Sequence, residues 1–379
     1  MIYLDTAATS YQKPESVYRR AEEAMRTCAN PGRGGHTPSL EAGRMVYTVR
    51  AQASDFFGVG DPDRVIFTSN ATDSLNLAIH GMARPGGHIV TTSMEHNSVL
   101  RPLRALEDRG VRHTIVWGDP VTGVVTPEQM EAAIEPDTCL VICTHVSNVT
   151  GTVMPIEAIG AMCRRRGVPF LVDASQSAGI FDLDMTRMPI DLLACPGHKG
   201  LLALPGTGLL CLGEQIRPAC LKQGGTGSLS ERAEQPDLLP DRYESGTLNT
   251  VGIASLGAGL AWLAERGLEA IRAHEDALCR RMLEGLARLS GVTVYGPGLE
   301  GPRGAVISLQ VAGMDCSQAA FTLDREFGIC VRSGLHCAPL AHKTMGTFPQ
   351  GTVRLSLGPF HTDDDVDRAL AALARLSAV

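Results

Sequence analysis

The chain has 379 residues, 44% hydrophobic and 20% charged, the proportions of a soluble globular protein with room for two domains. A formal charge of −7, with Arg164–Arg166 the densest basic run, argues against nucleic acid or an anionic membrane as the main partner. No apolar stretch approaches the roughly 18 residues of a membrane helix. No basic start leads into an apolar stretch, as a signal peptide would require. The eleven cysteines are scattered and never spaced C-x-x-C, which disfavours a disulfide framework or a zinc ribbon and points to a reducing cytoplasm.

From about residue 60 to 250, short apolar runs alternate with helical patterns. RVIFTS (64–69), HIVTTS (88–93), RHTIVWG (112–118), CLVICTHVS (139–147), PFLVDAS (169–175), DLLACPG (191–197) and GLLCLG (208–213) read as strands. Most are unbroken apolar runs, the pattern of a parallel sheet covered on both faces. Helices are predicted between them at 71–83, 97–109, 126–134 and 155–167. The alternation predicts an α/β architecture, a mostly parallel seven-stranded sheet between helices. A Gly-, Ser- and charge-rich passage at 223–246 reads as a loop. A long helical pattern follows at 253–289, bent or broken near Gly267. The remainder, 292–379, reads as strand, helix, strand and a last helix whose acidic start, DDD, suits a helix N-terminus. These features predict a large domain over 16–252 and a smaller α+β domain over 253–379 that includes the connecting helix.

Four strands end in polar groups on the side where open α/β sheets bind ligands. PFLVDAS reaches Asp173, and a later strand leads through PGHKG to Lys199. A lysine forms a Schiff base with an aldehyde, and a carboxylate keeps a pyridine nitrogen protonated, the two requirements of pyridoxal 5′-phosphate. Taken alone, the pair is equally a surface lysine and a strand-end aspartate. FTSNATDSLN is strand, turn, helix, whose Ala71 and Thr72 suit a phosphate at a helix N-terminus or an ordinary cap. His96 in TTSMEHNSVL suits a ring stacked on a cofactor, or a structural histidine. Asn148 in THVSNVTG is a candidate ligand or a turn asparagine. Their convergence on one sheet edge is what singles them out.

Taken in order, YLDTAAT, NATDSLN, MEHNSV, HVSNVTGT, VDASQSAG, GHKG, ESGTLNT, RSGLHCAP and GTVRLSLGPFHT resemble the class V aminotransferase group of fold-type I pyridoxal-phosphate enzymes, and most closely the cysteine desulfurases. The resemblance implies a fold-type I transferase with an N-terminal segment, 1–15, packing near the site. It implies that Lys199 forms the Schiff base and moves the α-proton, Asp173 pairs with the ring nitrogen, Gln176 binds the ring hydroxyl and His96 stacks on the ring. Ala71, Thr72 and His198 would hold the cofactor phosphate, joined by Thr247 reaching across a homodimer. Asn148 and Arg354 would bind the substrate carboxylate. Cys337 would take sulfur from L-cysteine as a persulfide, leaving L-alanine, and pass it to a sulfur-acceptor protein.

Two positions depart from the pattern. Pro196 stands where many relatives have a phosphate-binding serine, and Leu335 where the short-loop type has a second histidine. RGGH resembles that type's RGxH stretch, which makes His36 a candidate substrate contact. His336, Arg332 and the glycine-bearing loop offer Cys337 a basic setting that favours thiolate. His336, Cys337 and His342 are also metal-ligand types, but three candidates at irregular spacing do not make a site. The same scaffold also serves selenocysteine lyases, C–S β-lyases and aminotransferases. A protein that keeps the fold as a sulfur-transfer scaffold without catalysis is a further alternative, which the intact Lys199–Asp173 pair opposes.

Overall fold

The computed structural model describes residues 1–32 and 34–378; Arg33, the first residue of the RGGH stretch, lies outside them. The seven apolar runs form one sheet, in the order Val65–Thr68, Gly208–Leu212, Leu192–Pro196, Phe170–Asp173, Thr138–Thr144, His88–Thr92 and Arg112–Val116. All neighbours are parallel except Gly208–Leu212, which runs antiparallel to both strands beside it. Successive residues of a strand face opposite sides. Accordingly Val90, Val141 and Val172 join one hydrophobic core, and Ile89, Leu140 and Leu171 the other. Helices Thr37–Phe56 and Ile156–Arg166 cover the first face, and Ala71–Met82 and Asn97–Glu107 the second. Both faces being covered, Phe170–Asp173 and Leu192–Pro196 are buried along their whole length.

The C-terminal part builds a four-stranded antiparallel sheet, in the order Arg332–Gly334, Thr352–Ser356, Val306–Val311 and Val292–Tyr295. Its core takes in the start of the chain. Ile2–Tyr3 pairs in parallel with Ile329–Cys330, and the Leu4 carbonyl accepts from the Ser356 amide at 2.8 Å. Ile2 and Leu4 are thereby buried in the C-terminal core.

The two helices that follow the loop pack into different cores. Helix Thr250–Arg266 buries Ile253, Leu256, Leu260 and Leu263 in the core of the large sheet. Gly267, at φ +78, ends it. Helix Leu268–Leu286 then sends Leu278, Met282, Leu283 and Leu286 into the C-terminal core. An apolar stripe of helical period shows that a face is buried, but not against which sheet. Residues 223–246 contain no helix or strand. Among the described residues no helix is long and apolar enough to cross a membrane.

Candidate active site

The C-terminal ends of the parallel strands open on one cavity of about 210 Å³. Phe170–Asp173 delivers Asp173, followed by Gln176; Leu192–Pro196 delivers His198 and Lys199; His88–Thr92 leads to His96, and Thr138–Thr144 to Asn148. All of these line the cavity, as do Ala71, Thr72, Pro196, Arg332 and Arg354. One close approach sets the geometry around the lysine. A Cβ at Gly200 would lie 2.3 Å from the Ala178 carbonyl oxygen, so only glycine lets the chain after Lys199 press against the turn that follows Asp173.

Lys199 is half-buried at the cavity, and among the described residues no hydrogen bond or ion pair holds its ammonium. Burial pushes it down to about 8, with the Asp173 carboxylate opposing. Asp173 is buried, and its Oδ1 accepts from the Ser175 amide at 3.0 Å and the Ser175 hydroxyl at 2.5 Å. Its Oδ2 accepts no hydrogen bond from the described residues.

Helix Ala71–Met82 starts behind Asn70, whose side chain accepts from the Asp73 amide at 2.9 Å, while the Ser74 amide bonds the Asn70 carbonyl at 3.2 Å. The amides of Ala71 and Thr72 have no intrahelical partner, as at any helix start, and their residues line the cavity. Beside them, the Thr72 hydroxyl meets the Ser98 hydroxyl at 2.8 Å, and His198 Nδ1 meets the Thr9 hydroxyl at 3.0 Å. Burial, followed by Lys199 and Lys13, pushes His198 down to about 4, so its ring is neutral at pH 7. One end of the cavity therefore attracts an anion, and the other pairs an unengaged amine with an open carboxylate oxygen. That donor set fits pyridoxal 5′-phosphate.

Other expected ligands already have partners within the chain. Arg354 is fully buried, donates to Asp5 Oδ1 at 2.6 Å and to the Asn148 carbonyl at 3.1 Å. The Asn148 amide donates to the His336 carbonyl at 2.7 Å, and Gln176 to the Ala7 carbonyl at 2.9 Å. His96 Nδ1 accepts from the Ser98 amide at 3.1 Å. Burial lowers the His96 pKa, Lys199 and nearby arginines lower it further and Asp173 opposes, which favours the neutral ring with its proton on Nε2.

Cys337 is exposed and lines a shallow adjoining cavity with Thr72, His96, Ser98 and Arg101; the first three also line the Lys199 cavity. His336 and Cys337 both have positive φ, +49 and +58. Two consecutive left-handed residues that are not glycine are sterically unfavourable, by about 1–3 kcal/mol each. The basic setting expected from His336 is corrected. Its ring turns inward, is 4% exposed, and is pushed down to about 2 by burial, with Arg354 and His342 adding to the effect. It therefore carries no charge to stabilise a Cys337 thiolate.

Two expected residues are not brought to the Lys199 cavity by this chain. His36 is the exposed residue preceding helix Thr37–Phe56. Thr247 is exposed and lines a separate cavity of about 570 Å³ with Lys222, Ser245 and Asn249. Sequence reasoning missed Asp5, Thr9, Ser98 and Ser175, which hold Arg354, His198, His96 and Asp173. Asp5 and Thr9 stand inside YLDTAAT, a motif matched as a whole but not residue by residue.

A family model described as aminotransferase class-V matches residues 2–369. A probable cysteine desulfurase of Methanothermobacter thermautotrophicus is 33% identical, over 96% of this chain and 92% of its own. A cysteine desulfurase of Yersinia pestis is likewise 33% identical, over 99% and 93%. The apo structure of a cysteine desulfurase from Thermococcus onnurineus NA1 superposes with a TM-score of 0.90 at 32% identity, covering 100% of this chain and 94% of that one.

Proposed function

Because the chain belongs to the class V aminotransferases, among the cysteine desulfurases, we propose that it converts L-cysteine to L-alanine and takes the released sulfur onto Cys337 as a persulfide. The observation that carries this reading is the adjacency of two cavities. One holds the Lys199–Asp173 pair and an anion-attracting helix start; the other, sharing Thr72, His96 and Ser98, holds an exposed thiol.

Bound pyridoxal phosphate supplies an aldehyde for the lysine and a ring that absorbs the electron pair left at the substrate Cα. Lys199, near 8 by burial, is available as a neutral amine in a useful fraction at pH 7–8 and moves the Cα proton at Nζ. The open Oδ2 of Asp173 would hold the ring nitrogen's proton. The Ala71 and Thr72 amides, the Thr72 hydroxyl and His198 would hold the phosphate, a set that Pro196 leaves one hydroxyl short of many relatives. His96 would stack on the ring and Gln176 would bind its hydroxyl, both lining the cavity. Arg354, oriented by Asp5, meets the substrate carboxylate with Asn148. The Cys337 thiolate attacks the substrate sulfur: an S–S bond forms, the Cβ–S bond breaks, and its electron pair stays on carbon, which is protonated to alanine.

The partners of this reading are a second copy of the chain, a sulfur-acceptor protein and a reducing, cytoplasmic setting. Leu40 and Tyr47 on helix Thr37–Phe56, with Tyr18 and Met25 on helix Glu15–Thr27, expose apolar surface that a second copy would cover. Thr247 stands exposed beside Asn249, available to a neighbouring subunit. All eleven cysteines are free. The deciding experiment incubates the purified protein separately with L-cysteine, L-selenocysteine and L-cystine and quantifies alanine, pyruvate and sulfide. Alanine with a one-sulfur gain on the Cys337 peptide is expected from cysteine. Pyruvate instead would make the protein a β-lyase, and turnover restricted to selenocysteine a lyase of that substrate.

A further inference from the structure

The strained pair His336–Cys337 is held from two sides. On the cavity side, the Asn148 side chain donates to the His336 carbonyl and the Asn97 amide donates to the Cys337 carbonyl, both at 2.7 Å. On the interior side, a chain of side-chain hydrogen bonds runs away from the reaction. His336 Nδ1 lies 3.3 Å from His342 Nε2, and His342 Nδ1 lies 2.7 Å from the Thr347 hydroxyl. The two rings stack with centroids 5.5 Å apart, and His342 is completely buried.

The hydrogen-bond directions follow from the ends. His336 Nε2 faces the Arg332 carbonyl at 3.4 Å, an acceptor, so Nε2 carries the proton and Nδ1 accepts. His342 Nε2 must then donate, which leaves His342 Nδ1 to accept from the Thr347 hydroxyl at 2.7 Å, the shorter of that hydroxyl's two approaches, the His342 carbonyl lying at 3.4 Å. Both rings are neutral, each in one tautomer, and every ring nitrogen is used. Burial pushes the two histidines down to about 2 and about 4, in keeping with neutral rings. Of the chain, His336 and Arg332 line the Lys199 cavity, while His342 and Thr347 do not, and no ring nitrogen bonds Cys337 Sγ. What it fixes is the His336 ring, and through it the backbone turn that carries the thiol.

We propose that His342 and Thr347 are positioning residues, a buried latch that holds the His336 ring and thereby keeps Cys337 in its left-handed, outward geometry at the mouth of the Lys199 cavity. This rests on Cys337 being the sulfur acceptor, and it adds the part of the fold that decides where that acceptor stands. Without the Thr347 proton, His342 Nδ1 is a buried acceptor with no donor. The His342 ring then has no reason to keep its Nε2 proton directed at His336, and the unfavourable turn relaxes.

The test uses the cofactor-loaded enzyme with Thr347→Val, which preserves the side-chain volume, and Thr347→Ser, which restores the hydroxyl. His342→Phe, which keeps a ring without nitrogens, is the second route to the same loss. In Thr347→Val and His342→Phe, amide hydrogen exchange at residues 335–338 should accelerate at least tenfold while the strands of the large sheet exchange at wild-type rates. Sulfur transfer should fall at least tenfold in kcat with KM for cysteine within twofold, and Thr347→Ser should recover both. Wild-type exchange at 335–338 in both variants would overturn the latch. Fast exchange with undiminished kcat would overturn its role in positioning. A Cys337→Ala enzyme that still transfers sulfur at the wild-type rate would remove the acceptor reading instead, with the latch judged by exchange alone.

Discussion

Lys199 and Cys337 carry different halves of the proposed reaction, and substitutions should separate them. Lys199→Ala should abolish turnover while the fold survives, since the ammonium makes no hydrogen bond or ion pair with the described residues. The loss is checked by alanine release and by circular dichroism. Cys337→Ser should keep the cofactor spectrum and lose persulfide formation, read by mass spectrometry of the 332–340 peptide. Asp5→Ala leaves the buried Arg354 guanidinium without its counter-charge and should destabilise by about 3 kcal/mol in denaturant titrations. It should also raise KM for cysteine, because an unanchored Arg354 no longer presents both nitrogens. Lys199 and Asp173 were legible because their side-chain types and strand-end positions state a chemistry. Asp5 was not, because no spacing in the chain announces a contact 349 residues away. His336 was misread for a related reason: residue order places an imidazole beside a thiol, but a left-handed backbone turns the two side chains apart.

Elements were easier to read than their partnerships. Apolar runs, most of them unbroken, identified all seven strands of the large sheet, since burial on both faces removes the polar alternation from the inner strands. The reversed direction of Gly208–Leu212 was invisible, because its composition matches that of its parallel neighbours. That strand also carries a local constraint. A Cβ at Gly208 would lie 2.5 Å from the Asn70 backbone carbon, directly behind the start of helix Ala71–Met82. Gly208→Ala should therefore displace the helix N-terminus proposed to receive the phosphate. Expected outcomes are a loss of about 1–3 kcal/mol of stability from overpacking and weaker cofactor retention on dialysis. Gly35→Ala, where none of the described residues lies within 4 Å, is the near-neutral control.

At the scale of the whole molecule, buried titratable groups impose a pH optimum on stability. His145, His198, His336 and His342 are pushed down to about 3, 4, 2 and 4, chiefly by burial. Between those values and the ordinary 6.5, the unfolded chain binds protons that the folded one does not, so stability falls as pH drops below about 6.5. Glu95 and Glu275 are pushed up by burial to about 8. Between the ordinary carboxylate value and 8, the folded chain holds protons that the unfolded one releases, so their effect is to lower stability as pH rises to about 8. Four histidines against two carboxylates place the maximum near pH 6.5, checked by thermal denaturation from pH 4 to 9. A monotonic rise across that range would contradict the balance. The proposed assembly has its own test: Lys199→Ala and Thr247→Asp, each inactive, should regain partial activity when unfolded together and re-paired, because a dimer sharing Thr247 would keep one hybrid site intact.

The strand Ile2–Tyr3 and the Asp5–Arg354 pair give the protein a timetable as well as a shape. During synthesis Asp5 leaves the ribosome long before Arg354 exists; at about 5–20 residues per second the interval is roughly 20–70 s. Through that interval the apolar Ile2 and Leu4 have no core to enter, while the strands of the large sheet emerge and can pair in order. The Arg354 side of the Lys199 cavity is therefore finished last, by the joining of the two ends of the chain. A nascent chain arrested before residue 329 would carry Lys199 and Asp173 in a formed sheet yet lack the strand that receives Ile2–Tyr3. Limited proteolysis of such arrested chains should cut first within the opening residues, and release of the full-length chain should protect them.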